Sequence, residues 1–128
     1  MSKLRVLVVA DCESLRRSLV LLLARSNDLA GAVPSDRMMD AVYEVKPQII
    51  VCSVRTPLID QQTRSILKSP DHNARFVFVT TLTLDVQDWI DHGNVCVVNE
   101  TDLHQDLTAA VQAAANGEIY LSRHAVRI

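Results

Sequence analysis

The strongest constraint on this 128-residue chain is an alternation. Short apolar segments at residues 4–9, 29–33, 49–52, 76–79 and 95–98 each precede a stretch of different character. The segments are rich in β-branched residues, and four of them carry no polar alternation; the second is weaker, with Gly31 and two alanines. Strands of that kind are buried on both faces. Between them the period changes to that of a helix. Over residues 13–26, Leu15, Leu19, Leu22 and Leu23 fall on one face, with Arg16, Arg17 and Arg25 mostly elsewhere. Residues 36–45, 60–68, 84–92 and 103–116 read as four more helices. Ser35 and Asp102 stand where N-caps belong, and Gly93 and Gly117 stand as stops. Pro34, Pro47, Pro57 and Pro70 punctuate the junctions. Strict alternation of this kind dictates a parallel sheet covered on both sides, and right-handed crossovers make it doubly wound. The predicted fold is α/β, a doubly wound five-stranded parallel sheet of (βα)5 type in a single domain. It covers residues 1–116, with 117–128 as a C-terminal tail or the start of a linker.

Composition narrows the function. At 14.2 kDa, 48% hydrophobic and 22% charged, the chain can build one proper core. Three glycines and four prolines are too few for a turn-rich all-β fold. Thirteen basic against fifteen acidic residues leave a net charge of −2, which does not suit direct nucleic-acid binding. No apolar run approaches the roughly 20 residues of a membrane span. The first residues lack the pattern of a signal peptide, so a cytoplasmic protein is expected. Cys12, Cys52 and Cys96 are odd in number and widely spread, which predicts buried free thiols rather than disulfides or a zinc site.

In such sheets a site lies outside the carboxyl ends of the strands. Those ends carry Ala10, Asp11, Cys12 and Glu13, then Ser53, then Thr80 and Thr81, then Asn99 and Glu100. The expected pocket is Ala10, Asp11, Ser53, Thr80 and Asn99. It has no glycine-rich turn after the first strand, hence neither a dinucleotide fingerprint nor a phosphate loop. His72, His92, His104 and His124 fall away from these ends, so no Ser/His/Asp set forms and the histidines are expected to be structural or solvated. Asp11 is the single candidate metal ligand, and neither a metal nor another cofactor is expected. A redox role for Cys12 and Cys52 is disfavoured, because Cys52 points opposite to Ser53 and no fixed cation adjoins either thiol.

The order of these residues resembles the receiver domain of two-component response regulators, the CheY-like fold, most closely the NarL/LuxR type. The matching stretches are Val6 to Asp11 followed by Leu15, Arg16 and Arg17; residues 46–60, with Lys46, Pro47, Ser53, Pro57 and Asp60; residues 74–81; and Asn116, Gly117, Glu118, Ile119, Tyr120, Leu121 and Ser122. The resemblance implies a phosphoacceptor aspartate at Ser53, a second acid at Ala10 and a lysine at Asn99, the last after a one-residue deletion between Gly93 and Val97. All three are replaced, and Gln61 stands where a glycine usually follows Asp60. Asp11, Thr80 and Pro57 keep the family pattern.

These losses dismantle the ordinary reaction. Mg²⁺ seeks hard oxygens, and one carboxylate with a serine hydroxyl offers little. A serine hydroxyl is a weak nucleophile without an activating base. The expected protein is a pseudo-receiver, a non-catalytic signalling module and not an enzyme, acting by dimerisation or partner binding. The alternatives are a small-ligand sensor using the vacated pocket, or a residual phosphoacceptor at Ser53. A homodimer through the first and fifth helices is expected, with Leu15, Leu19, Leu22, Leu107, Val111 and Ala114 as interface candidates; a single thick core is the competing reading. Thr80 is read either as a switch hydroxyl or as a strand-end group bonding its own backbone, and Trp89 either as a partner contact or as cover for the sheet. Tyr120 lies in what resembles the start of a linker to a DNA-binding domain outside this chain.

Overall fold

The computed structural model describes residues 3–54, 74–91 and 96–127. Its elements are β1 (Arg5–Val9), α1 (Glu13–Leu23), β2 (Asp28–Val33), a 3-10 turn (Ser35–Arg37), α2 (Met38–Val45), β3 (Ile49–Ser53) and β4 (Arg75–Thr80). There follow α3 (Val86–Asp91), β5 (Cys96–Asn99), a second 3-10 turn (Glu100–Asp102), α4 (Leu103–Ala115), β6 (Tyr120–Leu121) and a third 3-10 turn (Arg123–Ala125). The helix expected over residues 60–68 lies outside the described residues, so α4 is the fifth helix of the sequence reading.

All strand pairs are parallel, in the order β2-β1-β3-β4-β5-β6. The expected count of five is corrected to six. The addition is β6, which pairs Tyr120 with Cys96 and Leu121 with Val97. Two residues carry no readable period, which is why the sequence pattern stops at β5.

The apolar strands feed two cores. Val6, Val8, Ile49, Val51, Val77, Val79 and Val98 face one side, where Leu19 and Leu23 of α1 and Leu107, Ala110 and Val111 of α4 cover them. Leu7, Val9, Ile50, Phe76, Phe78 and Val97 face the other, under Met38 and Val42 of α2 and Trp89 of α3. Successive residues of a strand point to opposite faces, so a doubly covered sheet needs every position apolar. Each fully buried valine or leucine contributes about 1.5–3 kcal/mol relative to exposure.

Several boundaries differ from the reading for local reasons. The first helix ends at Leu23 rather than Ser26, because the Asn27 side-chain and backbone N–H groups both donate to the Leu23 carbonyl. The second begins as the 3-10 turn over Ser35–Arg37, and Ser35 turns its hydroxyl to Asp11 instead of capping α2. The last ends as its Gly117 stop requires. Gly117 has φ 74°, its N–H donates to Ala114 O, and Glu118 N–H donates to Ala113 O. This is the left-handed cap that satisfies the orphan carbonyls of a helix end.

Beyond that cap the chain stays on the domain. Ser122 N–H donates to Val97 O, and Val126 bridges Leu84 in the loop before α3. Ala125 is fully buried in the second core.

Candidate functional site

The strand order reverses direction of travel at β1, which leaves a crevice between the carboxyl ends of β1 and β3, the topological switch point of an open α/β sheet. A cavity of about 310 Å³ opens there, lined by Cys12, Leu15, Ser53, Thr81 and Glu100. Of the five residues expected to share a pocket, Ser53 alone lines it.

Strand parity explains the division. Ser53 continues the alternation of Ile49 and Val51, and Thr81 that of Val77 and Val79, both on the α1/α4 side. Cys12 and Glu100 follow the same alternation beyond β1 and β5. Asp11, Thr80 and Asn99 carry the opposite parity and turn to the other side. The expected residues are divided: Ser53 lines this cavity, while the side chains of Asp11, Thr80 and Asn99 bond elsewhere. The useful signal was parity, since Cys12, Thr81 and Glu100 each stand one residue beyond an expected pocket member.

Each displaced residue has a definite partner. Ala10 is buried; its carbonyl accepts from the Arg16 guanidinium at 2.7 Å. The Asp11 carboxylate accepts from the Ser35 backbone N–H at 2.8 Å and from the Ser35 hydroxyl at 3.0 Å, bracing the 3-10 turn before α2. Thr80 is fully buried and its hydroxyl oxygen accepts from Leu82 N–H at 3.1 Å, the strand-end role rather than a group open to the cavity. Asn99, only 4% exposed, donates from its side-chain amide to Leu82 O and His124 O and accepts from Thr101 N–H. Its own backbone N–H donates to the Ser122 hydroxyl. Asn99 thus staples the loop after β4 to the C-terminal segment.

A second polar centre was missed. Asp102 does not cap α4 with its side chain. Its carboxylate accepts from His124 N–H at 2.8 Å and lies 2.5 Å from His124 Nδ1. Burial pushes this carboxyl up, but hydrogen bonds from the His124 backbone, the His124 ring and Ser122 outweigh it, and the net direction is down. A folded value below the unfolded one means stability that is complete above about pH 4 and lost as pH falls through the folded value. Asp102→Asn is therefore expected to cost about 1–3 kcal/mol at pH 7. The gap from the parent should narrow in acid, as measured by urea midpoints across pH.

The three thiols differ. Cys52 and Cys96 are buried as expected, and burial raises the Cys96 pKa despite partial offset from Tyr120 and Arg75. Cys12 is exposed at the mouth of α1, a correction to the expectation of three buried thiols. Tyr120 donates to Asp106 at 2.7 Å; its phenol is pushed up to about 12 by burial and by that carboxylate. His104 is exposed on α4, while His72 and His92 lie outside the described residues. No group of three or more histidine, cysteine or acidic side chains placed to hold a metal occurs among the described residues. Larger hollows of about 680 and 380 Å³ lie at the opposite, amino edge of the sheet, one beside the Arg5–Asp28 pair and the other beside Lys46 and Arg75. That edge carries none of the strand-end groups described above.

The interface candidates also need correction. Leu19, Leu107, Val111 and Ala114 are at most 3% exposed and belong to the first core. Leu15 and Leu22 are half-buried against it. The apolar side chain that α1 presents to solvent is Leu21, at 74% exposure.

No family model matches the chain, and no match is found among curated proteins. Solved structures do match. RcsB, a response regulator of Salmonella typhimurium, superposes with a TM-score of 0.78 at 12% identity, over 98% of this chain and 66% of that one. The signal receiver domain of NarL from Mycobacterium tuberculosis gives 0.75 at 19% identity, over 92% of this chain and 100% of that one. A LuxR-family response regulator from Aurantimonas sp. SI85-9A1 gives 0.75 at 17% identity, over 97% and 93%. The fold is that of response-regulator receiver domains. The receiver fold accounts for the order of the first five strands and for the crevice between β1 and β3, and this chain spans just under two thirds of the RcsB chain. No helix among the described residues is long and apolar enough to cross a membrane.

Proposed function

We propose that this chain is a pseudo-receiver, a cytoplasmic signalling module of a NarL/LuxR-type transcription regulator. It relays its signal by association with a second copy or a partner, without aspartyl phosphorylation and without turning over a substrate. The supporting observation is the chemistry of the switch-point cavity. β3 ends there in the hydroxyl of Ser53, Asp11 is turned to Ser35, and Glu100 is the carboxylate on the wall. Among the described residues no lysine or arginine lines this cavity. An incoming phosphoryl group would meet a weak nucleophile and an added negative charge. The proposed receiver-like unit is residues 1–116 with the segment to residue 127 packed on it through β6 and Ala125, and a DNA-binding domain outside this chain would follow. Direct nucleic-acid contact by the receiver-like unit is not part of the proposal.

Binding of Mg²⁺ with beryllofluoride, a phosphoryl mimic, tests this reading. A ligand that binds only the folded state raises Tm. The expected result is no shift in Tm where an aspartate-bearing receiver shifts upward; an upward shift here would contradict the proposal. The cavity itself favours one second reading, a small polar ligand held by Ser53, Thr81 and Glu100. A metabolite panel in the same assay would reveal it.

The proposed homodimer uses the solvent face of α1 beside α4. A similar structure is described as two RcsB dimers bound to two parallel DNAs. On this chain the anchor would be Leu21, flanked by the half-buried Leu22. Leu21→Asp is expected to weaken self-association about tenfold, or about 1.4 kcal/mol, since it places an unpaired carboxylate in the contact. Sedimentation equilibrium reads the change, and an unaltered association constant would remove this face from consideration.

A further inference from the structure

The switch-point cavity carries polar groups that the chain leaves without partners. Ser53 ends β3, Thr81 follows β4 and Glu100 follows β5. The register gathers them. Ser53 pairs with Val79, two residues before Thr81, and Glu100 stands one residue past the Thr80–Asn99 pair, opposite Thr81. Among the described residues none forms a hydrogen bond or ion pair with the Glu100 carboxylate or with the Ser53 and Thr81 hydroxyls. Ser53 and Glu100 are half-buried, so the set is recessed in the surface. The arginines of α1 are engaged elsewhere, Arg16 with Ala10 O and Arg17 with Glu13.

The walls are fixed from behind. Leu82, next to Thr81, donates its N–H to the Thr80 hydroxyl and accepts at its carbonyl from the Asn99 amide. The same Asn99 side chain accepts from Thr101 N–H and so holds the turn that carries Glu100. Val54 N–H donates to Val79 O and holds the end of β3. Groups positioned in this way need little reordering when a ligand arrives.

The chemistry of the set selects the ligand. A carboxylate without a counter-charge attracts a cation. Two hydroxyls beside it add acceptor lone pairs. Mg²⁺ is poorly served by one carboxylate, since it demands near-ideal octahedral coordination by oxygen. An ammonium group carries three N–H donors, one each for Glu100, Ser53 and Thr81. Leu15 and the Cys12 thiol complete the wall and offer contact to a short carbon chain. A volume of about 310 Å³ lies at the small end of ligand cavities.

We propose that this cavity binds the primary ammonium group of a small amine, with Glu100 supplying the counter-charge and the Ser53 and Thr81 hydroxyls accepting the remaining N–H bonds. The assignment rests on the ligand reading of the cavity given above and names the chemical class.

Backbone amide NMR of the full chain, titrated with n-butylammonium at constant ionic strength, tests it. The expected result is saturable movement of the Ser53, Thr81 and Glu100 signals while β2 stays unmoved. Glu100→Gln should weaken binding about tenfold or more, the loss of a charge-assisted bond. Because Glu100 bonds to no other described residue, this variant is expected to melt with the parent. Ser53→Ala should weaken binding by about threefold to tenfold and provides a second variant. Tetramethylammonium has the charge without an N–H donor, and n-butanol has the chain without the charge. Both should bind at least about tenfold more weakly than n-butylammonium. Equal affinity for tetramethylammonium, or undiminished binding in Glu100→Gln, would overturn the ammonium assignment. Saturable binding of n-butanol without binding of n-butylammonium would overturn it too, yet leave the cavity a ligand site. No saturable movement with any probe would overturn both.

Discussion

Replacing Trp89 with alanine is expected to destabilise the domain by about 3–5 kcal/mol, the largest effect of any single substitution considered. Trp89 is fully buried and is the largest side chain of the second core. Its removal leaves a cavity in that core beside Ala125. It also removes one of the two hydrogen bonds to Ala125 O, which keeps Leu84 N–H as a donor. Trp89→Phe keeps most of the volume and loses the donor, so a smaller cost is expected, about 0.5–1.5 kcal/mol for the hydrogen bond beside the lost volume. Urea unfolding followed by circular dichroism measures both without relying on tryptophan emission. A cost under 1 kcal/mol for the alanine variant would mean that Trp89 is not packed as described.

Asn99→Leu is expected to cost about 2–4 kcal/mol despite near-equal size. The amide serves three backbone groups at once, the carbonyls of Leu82 and His124 and the N–H of Thr101. Leucine satisfies none of them, and at 4% exposure water does not replace them cheaply. Asn99→Asp should also be destabilising, because a carboxylate faces two carbonyl oxygens where the amide donated. Denaturant midpoints test the cost. Hydrogen exchange at Leu84 and Arg127 tests the location, since the C-terminal segment should loosen before β1 or β3. The residue that stands where the resemblance implies a lysine therefore has a full structural occupation of its own.

The sheet was legible because doubly buried strands need apolar residues at every position, and β1, β3, β4 and β5 all read as uninterrupted apolar runs. The helices were legible from their period, with ends displaced by local contacts such as the Asn27 bonds to Leu23. The strand ends were correctly placed at one edge, but side-chain direction was not. Thr80 and Thr81 are adjacent and face opposite sides; the alternation of the residues before them carries that information. What could not be read was long-range pairing. Asp102 looks like a helix cap until His124, 22 residues later, folds back onto it. Nothing local marks that partnership, and a two-residue strand such as β6 exists only because β5 offers it an edge.

The central claim is that this receiver fold no longer performs phosphoryl transfer to itself. Intact mass after incubation with acetyl phosphate and Mg²⁺, beside an aspartate-bearing receiver as positive control, tests it most directly. The account predicts no added phosphoryl mass on this chain while the control is modified. A stoichiometric adduct mapping to Ser53 or Asp11 would contradict it.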